Sequence, residues 1–291
     1  MGDSNIGLKQ IFTLVLLSLI WGTSFILVKR GLLAYSPLEL AALRVSIAGL
    51  VFLPFFIFHV KKERVKNYWK YLIVGLTGTA IPAFCFALAQ TQISSSVAGI
   101  MNALTPIFTI LIGITFYKMK VGGNQIIGVA LGLCGAIALI LLGKDSSQSN
   151  NMWFAGFVAI SSILYAMNLN FVKKHFQNEN SIRLSAVSFV LVSIPCLVYV
   201  GWSDIPSIMN TDAGIKALGY VAILSIMSTM IALIIFYKLV QTTNPVFASS
   251  VSYVVPIVAL LWGVWDGEFI GLGHYISLGL ILLAVYLIRK N

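Results

Sequence analysis

The side chains of this chain that could do chemistry lie inside long apolar runs. Trp21, Ser24, Phe25 and Val28 recur at the i, i+3, i+4, i+7 spacing that puts them on one helical face. Tyr165 and Asn168, three residues apart, share a face in the same way. Asn102 stands in the middle of another run, with Ser95, Gly99 and Thr109 near its face. In lipid, a polar side chain needs a partner or a cavity. Each of these residues is therefore either an interhelical hydrogen-bonding group, worth roughly 0.6 kcal/mol in membranes, or a contact for a small solute. Trp21 reads equally as a wall for a solute and as a packing residue. For Asn102, and for Tyr165 with Asn168, the cavity reading is preferred.

Two prolines add to this set. Pro106 and Pro256 lack the N–H that would bond one turn back, so each frees a carbonyl, at Asn102 and Ser252 respectively. A free carbonyl beside an amide or hydroxyl is a natural polar spot in a cavity. Tyr253 and Tyr237 are weaker candidates. Arg44 lies seven residues beyond Pro37, or about 10 Å into the bilayer at helical rise. It either snorkels outward, or pairs with Glu39, Asp266 or Glu268, or contacts an anion; the ion pair is preferred. Lys29 is read as snorkelling.

The groups that are missing limit the chemistry further. All nine acidic residues, Asp3, Glu39, Glu63, Asp145, Glu179, Asp204, Asp212, Asp266 and Glu268, fall near ends or in loops. No proton-carrying carboxylate sits mid-span. His59, His175 and His274 are also at ends, and with no cluster of His and Glu a metalloenzyme has no ligands. No nucleophilic triad or phosphate-binding loop is assignable. No cofactor is expected. Cys85, Cys134 and Cys196 each sit in an apolar run and read as packing residues.

Helices must position these groups, because the solvent is lipid. The 291 residues are 59% apolar and 10% charged, with mean hydropathy +0.95. Soluble domains hold about 45–50% apolar and 25% charged residues, so a soluble enzyme is excluded. Apolar runs bounded by charges and turns predict ten transmembrane helices, near 10–29, 37–59, 69–89, 94–117, 124–143, 152–173, 182–202, 215–239, 245–265 and 272–289. The first run, about Ile11 to Val28, is longer than a secretory leader's apolar region and is read as a span. Ser36-Pro37 starts the second helix, with an N-cap followed by proline at the first helical position. Gly128, Gly132 and Gly135 form a small-residue face that serves helix packing or a homodimer.

The net charge of +10 implies no nucleic acid here, because basic residues gather in cytoplasmic loops of membrane proteins. With both termini cytoplasmic, 14 Lys and Arg fall at inner loops and helix ends and 4 at outer ones. That bias sets the expected orientation in a cytoplasmic (inner) membrane, with the lipid bilayer as the main partner.

The halves repeat, 10–143 against 152–290. At an offset of 144, Ser18 matches Ser162, Val28 matches Val172, Lys29 matches Lys173, and Trp21 faces Tyr165. At an offset of 150, Ala98 matches Ala248, Pro106 matches Pro256, Gly113 matches Gly263, and Asn102 faces Ser252. Five helices per half return the chain to the opposite side, so the second half is inverted. Such repeats are a common plan of secondary transporters, with the solute near the midplane.

Trp21-Gly22-Thr23-Ser24-Phe25, Leu43-Arg44, the Ala- and Ser-rich turns before Pro106, the stretch Ala248 to Pro256 and Gly267-Glu268 together resemble the EamA-type drug/metabolite transporters. The resemblance covers essentially the whole chain. It implies ten helices, a central cavity, and export or exchange of small metabolites, often amino acids or related compounds. Where that family often carries an acidic residue after the fourth helix, this chain has Lys118-Met119-Lys120. The expected protein is thus an all-α membrane carrier with no catalytic or metal site. Its substrate contacts are expected at Trp21, Ser24, Asn102, Tyr165, Asn168, Ser252 and Tyr253. A passive facilitator and a non-transporting receptor are the alternatives. The first requires a path open at both ends, the second a closed, dry centre.

Overall fold

The computed structural model describes residues 6–62, 67–93, 98, 101–142, 152–265 and 272–289, with side chains at all but 61, 62, 139–142, 152, 259–265 and 274. Every regular element among them is helical. They are α1 (Leu8–Gly31), α2 (Pro37–Lys62), α3 (Tyr68–Ala89), α4 (Thr105–Tyr117), α5 (Gly123–Leu142), α6 (Met152–His175), α7 (Ser181–Trp202), α8 (Asp212–Thr242), α9 (Pro245–Ser249), α10 (Val251–Trp265) and α11 (Leu272–Arg289). One further turn, Ile205–Ile208, lies between α7 and α8. Six helices are long and apolar enough to cross a membrane: α1, α2 as far as Val60, α3, α6 from Trp153, α7 and α8. Shorter apolar helices cover Thr105–Tyr117, Gly123–Ala138, Pro245–Val258 and Tyr275–Arg289.

Helix starts follow local sequence. At α2, Ser36 N–H donates to Glu39 Oε2 at 2.8 Å and Glu39 N–H donates to Ser36 Oγ at 3.4 Å, a reciprocal cap just before Pro37. Asn180 Oδ1 accepts from the N–H groups of Ile182 and Arg183, starting α7, and Asn244 Oδ1 accepts from Phe247 N–H, starting α9. Lys118 closes α4 in the left-handed region, at φ 51°, and Met119 N–H returns to Gly113 carbonyl at 2.9 Å.

Close packing rests on small residues. A Cβ on Gly49 of α2 would stand 2.2 Å from Ser193 of α7, beside the Phe52–Phe189 ring contact. Gly128 and Gly135 of α5 are covered by Ile288 and Ile281 of α11, and Gly132 by the ring of Tyr253. The glycine face is thus used inside the chain. Large apolar side chains such as Phe12, Leu111, Ile126, Ile194 and Leu282 point outward, as lipid-facing residues do and as soluble surfaces rarely allow.

Three departures from the expected elements bear on the site. The predicted 94–117 helix is broken: a turn at Ala103–Leu104 precedes α4, which starts at Thr105 with Pro106 in its first turn. Proline has no N–H to carry the helix through. The predicted 245–265 helix divides into α9 and α10 at Ser250, where Ser250 Oγ and N–H both take the Phe247 carbonyl, at 2.6 and 3.2 Å. Finally, α3 and α8 each contain a π-helical segment, Leu76–Ala80 and Leu224–Ile231.

Candidate functional site

A cavity of about 120 Å³ lies between α1, α2, α3, α6, α8, α9, α10 and the break before α4. Trp21, Ser24, Arg44, Asn102, Tyr165, Asn168 and Ser252 all line it. They come from segments far apart in sequence, Asn102 beside the break before α4 and Ser252 in the first turn of α10, and meet at one cavity.

Both π segments contribute to the lining, the first through Gly78 and Thr79 and the second through Ser228. Wide turns leave backbone groups less well paired along the helix, and such segments recur at functional sites. On α8, Trp21 Nε1–H donates to the Ser228 carbonyl at 2.8 Å. Its ring meets Phe236 edge-on at 4.9 Å between centroids. Trp21 thus ties α1 to α8 through its nitrogen and also lines the cavity. Arg44 Nε–H donates to Thr229 Oγ1 at 2.8 Å on the same π segment. On α3, Asn168 Nδ2 donates to the Val74 carbonyl at 3.0 Å and to Thr77 Oγ1 at 3.1 Å. Asn168 is 2% exposed, so its amide N–H groups hold α3 against α6. Gly78 fits there because an added Cβ would meet Tyr237 Oη and Asn168 Nδ2 at 2.6 and 2.7 Å.

The remaining predicted residues divide. Asn102 and Ser252 are half-buried and make no side-chain hydrogen bond among the described residues. The Asn102 carbonyl freed by Pro106 accepts from Thr105 Oγ1–H at 2.7 Å, so one of its two lone pairs is used within the chain. Ser24 Oγ–H bonds the Trp21 carbonyl at 2.5 Å. Tyr165 stacks tilted against Phe86, at 6.3 Å between centroids. Tyr253 lies outside the cavity: its hydroxyl donates to the Val129 carbonyl at 2.8 Å and its ring covers Gly132. Ser252 faces the cavity, and the next residue is turned about 100° around the helix. Pro106 is buried at the α4 start and Pro256 stands inside α10. Arg44 has no acidic partner among the described residues, because Glu39 is committed to the α2 cap. Asp266, Gly267 and Glu268, as well as Ser95 and Gly99, lie outside the described residues.

Sequence reasoning did not single out Thr77, Gly78 and Thr79, nor Ser225, Ser228 and Thr229. Their signal was available as clusters of small hydroxyl residues and glycine inside otherwise apolar spans. Thr79 lines the cavity with a buried hydroxyl that has no partner among the described residues. No acid lines the cavity among the described residues, and no group of His, Cys, Asp and Glu there could hold a metal ion.

The cavity's two ends differ. Gln90 lines both the cavity and a shallow depression formed by Lys29, Thr91 and the Leu32–Pro37 link, so the cavity leads toward that end. At the opposite end Lys173 Nζ donates to the carbonyls of Gln241 and Thr243, at 2.9 and 2.5 Å. Gln241 Nε2 donates to the Phe176 and Glu179 carbonyls, at 2.8 and 3.0 Å. Tyr71 Oη–H donates to Glu179 Oε2 at 3.1 Å, and Asn170 Nδ2 donates to the Thr109 carbonyl at 3.1 Å. These bonds join α3, α4, α6 and α8 into a hydrogen-bonded floor.

The EamA-like transporter family matches residues 8–141 and 152–290. The chain is 27% identical over 279 residues to an uncharacterized inner membrane transporter, YedA, of Escherichia coli K12, covering 94% of this chain and 88% of that one. It is 22% identical over 289 residues to an S-adenosylmethionine/S-adenosylhomocysteine transporter of Chlamydia muridarum, covering 96% and 91%. It is 20% identical over 268 residues to a probable terminal-alkyne amino-acid exporter of Streptantibioticus cattleyicolor, covering 89% and 86%. A crystal structure with TM-score 0.74 and 18% identity covers 96% of both chains and has the same fold. The chain belongs to the EamA-like transporter family and is a multi-pass membrane protein.

Proposed function

We propose that this EamA-like transporter carries small amphipathic metabolites, amino acids or related compounds, out of the cell across the inner membrane by alternating access. Ten spans in two inverted five-helix halves, 10–143 and 152–290, enclose the cavity, and both termini are cytoplasmic. The observation that carries this reading is the cavity itself. It has polar contacts from both halves, a mouth at the Gln90 end and a hydrogen-bonded floor at the Lys173 end. A facilitator needs a path open at both ends, and a receptor without transport needs no such cavity. Two relatives are named for substrates that combine a charged amino-acid group with other chemistry, which suits a cavity of mixed aromatic and polar lining.

In this reading Asn102 and Ser252, one from each half, contact the solute, and Trp21 and Tyr165 wall it. Asn168 acts by holding the α3 π segment in place. Under the positive-inside orientation, the open end faces outward and the sealed end faces the cytoplasm. The test is a solute screen with the full chain in liposomes, with and without a pH gradient. Transport of amino-acid-like solutes is expected. Asn102→Leu and Ser252→Leu should each slow it about tenfold, the loss of one hydrogen bond worth about 1.4 kcal/mol. Normal rates in both folded variants would show that the cavity is not the path.

A further inference from the structure

We infer that Arg44 is the anchor for a carboxylate on the transported solute. The inference rests on the transport reading and assigns its substrate class: organic carboxylates whose uncharged part lies along the aromatic wall.

The guanidinium carries five N–H groups in a planar fork. One of them, on Nε, is spent on Thr229 Oγ1. Thr229 Oγ1 in turn donates to the Leu224 carbonyl, five residues back, a bond that the π segment makes possible. The fork is therefore aimed by a fixed partner. Its four terminal N–H groups have no acceptor among the described residues, although the residue lines the cavity. The neighbours one turn away on α2, namely Leu40, Ala41, Ile47 and Ala48, are all apolar. Glu39 is used in the cap at the helix start. Among the described residues Arg44 is the only charged side chain that lines the cavity.

A cation in a low-dielectric cavity without a counter-charge is unfavourable, and an anionic ligand relieves that penalty. Arginine matches carboxylate geometry with two parallel N–H···O bonds. The rest of the wall suits an apolar or aromatic body rather than a bare inorganic anion, because Phe25, Phe86 and Tyr165 run in edge and tilted contact. An amino acid fits this class through its carboxylate, with Asn102 and Ser252 as hydrogen-bonding partners for its amino group.

The probes are phenylacetate and phenylacetamide, which match in shape and differ in charge. Binding to the full chain in nanodiscs is read by thermal shift, and carriage of both probes is read in proteoliposomes. The acid should bind at least about tenfold tighter than the amide, the range of charge-assisted hydrogen bonds. Arg44→Gln should abolish that preference, and Arg44→Lys should keep part of it. Thr229→Val, which frees the fork but leaves the charge, should reduce it partway and serves if Arg44→Gln does not fold. Equal binding of acid and amide, binding of neither, or a preference that survives Arg44→Gln would overturn the anchor. If the amide is still carried while the preference is absent, the transport reading stands and only the anchor falls.

Discussion

Lys29 and Lys173 occupy matching places in sequence, at an offset of 144, near the ends of α1 and α6. Lys29 is exposed and makes no hydrogen bond or ion pair among the described residues. Lys173 is drawn onto the carbonyls that end α8. The difference lies in what the partner helix offers. At the sealed end, α8 runs out at Thr242 and leaves carbonyls that want a donor, and a lysine ammonium supplies several at once. At the open end, the Leu32–Pro37 link turns away, and Lys29 borders a depression instead. One residue type at matching sequence positions thus marks two ends, a hydrogen-bonded floor and a mouth. The proposed alternating access requires that the two ends exchange these roles.

The comparison can be broken from the floor upward. Asn168→Leu removes two bonds to α3 and adds bulk beside Gly78, so it should destabilise the protein by about 3 kcal/mol, read as a drop in melting temperature. Lys173→Met should cost about 2 kcal/mol and loosen the floor, whereas Lys29→Met should change stability by less than about 0.5 kcal/mol. Equal effects of the two lysine substitutions would erase the asymmetry. Tyr71→Phe removes the bond to Glu179 and should cost about 1 kcal/mol.

The smallest effect belongs to the open end, where Tyr35 Oη–H donates to the Gly214 carbonyl at 3.0 Å. Burial first, and then the neighbouring Glu39 carboxylate, raise the Tyr35 hydroxyl above the ordinary tyrosine value. A raised pKa means that the folded state favours the neutral phenol. Its stabilising contribution is therefore complete below about pH 10 and is lost as pH climbs past that value. Tyr35→Phe should flatten that alkaline decline in a stability-against-pH series.

Much of the cavity lining was legible because the bilayer makes polar residues conspicuous. Trp21, Ser24, Asn102, Tyr165, Asn168 and Ser252 stand out in apolar spans, and helical spacing places them inward. Four features were not legible. Tyr253 is as polar as Ser252 but faces α5, and a difference of one residue in facing is decided by packing on Gly132. The π segments pack against α1, α2 and α6, and no local residue signals the extra width of the turn. Arg44 had acids nearby in the expected layout, yet its hydrogen-bond partner is Thr229, 185 residues away. The break at Ser250 also escaped notice, since the visible proline lies six residues later.

The central claim is that one cavity is reached from one end at a time. It is tested most directly by labelling single cysteines, after Cys85, Cys134 and Cys196 are replaced by serine. Gln90→Cys reports the mouth. Ala248→Cys, fully buried on α9 and lining the cavity toward the floor, reports the sealed end. Without solute, Gln90→Cys should react with a polar maleimide at least about tenfold faster, the ratio set by a floor worth about 1.4 kcal/mol or more. Addition of a transported solute should slow the first and speed the second. Fast reaction at both positions throughout, or rates that ignore a transported solute, would contradict the account.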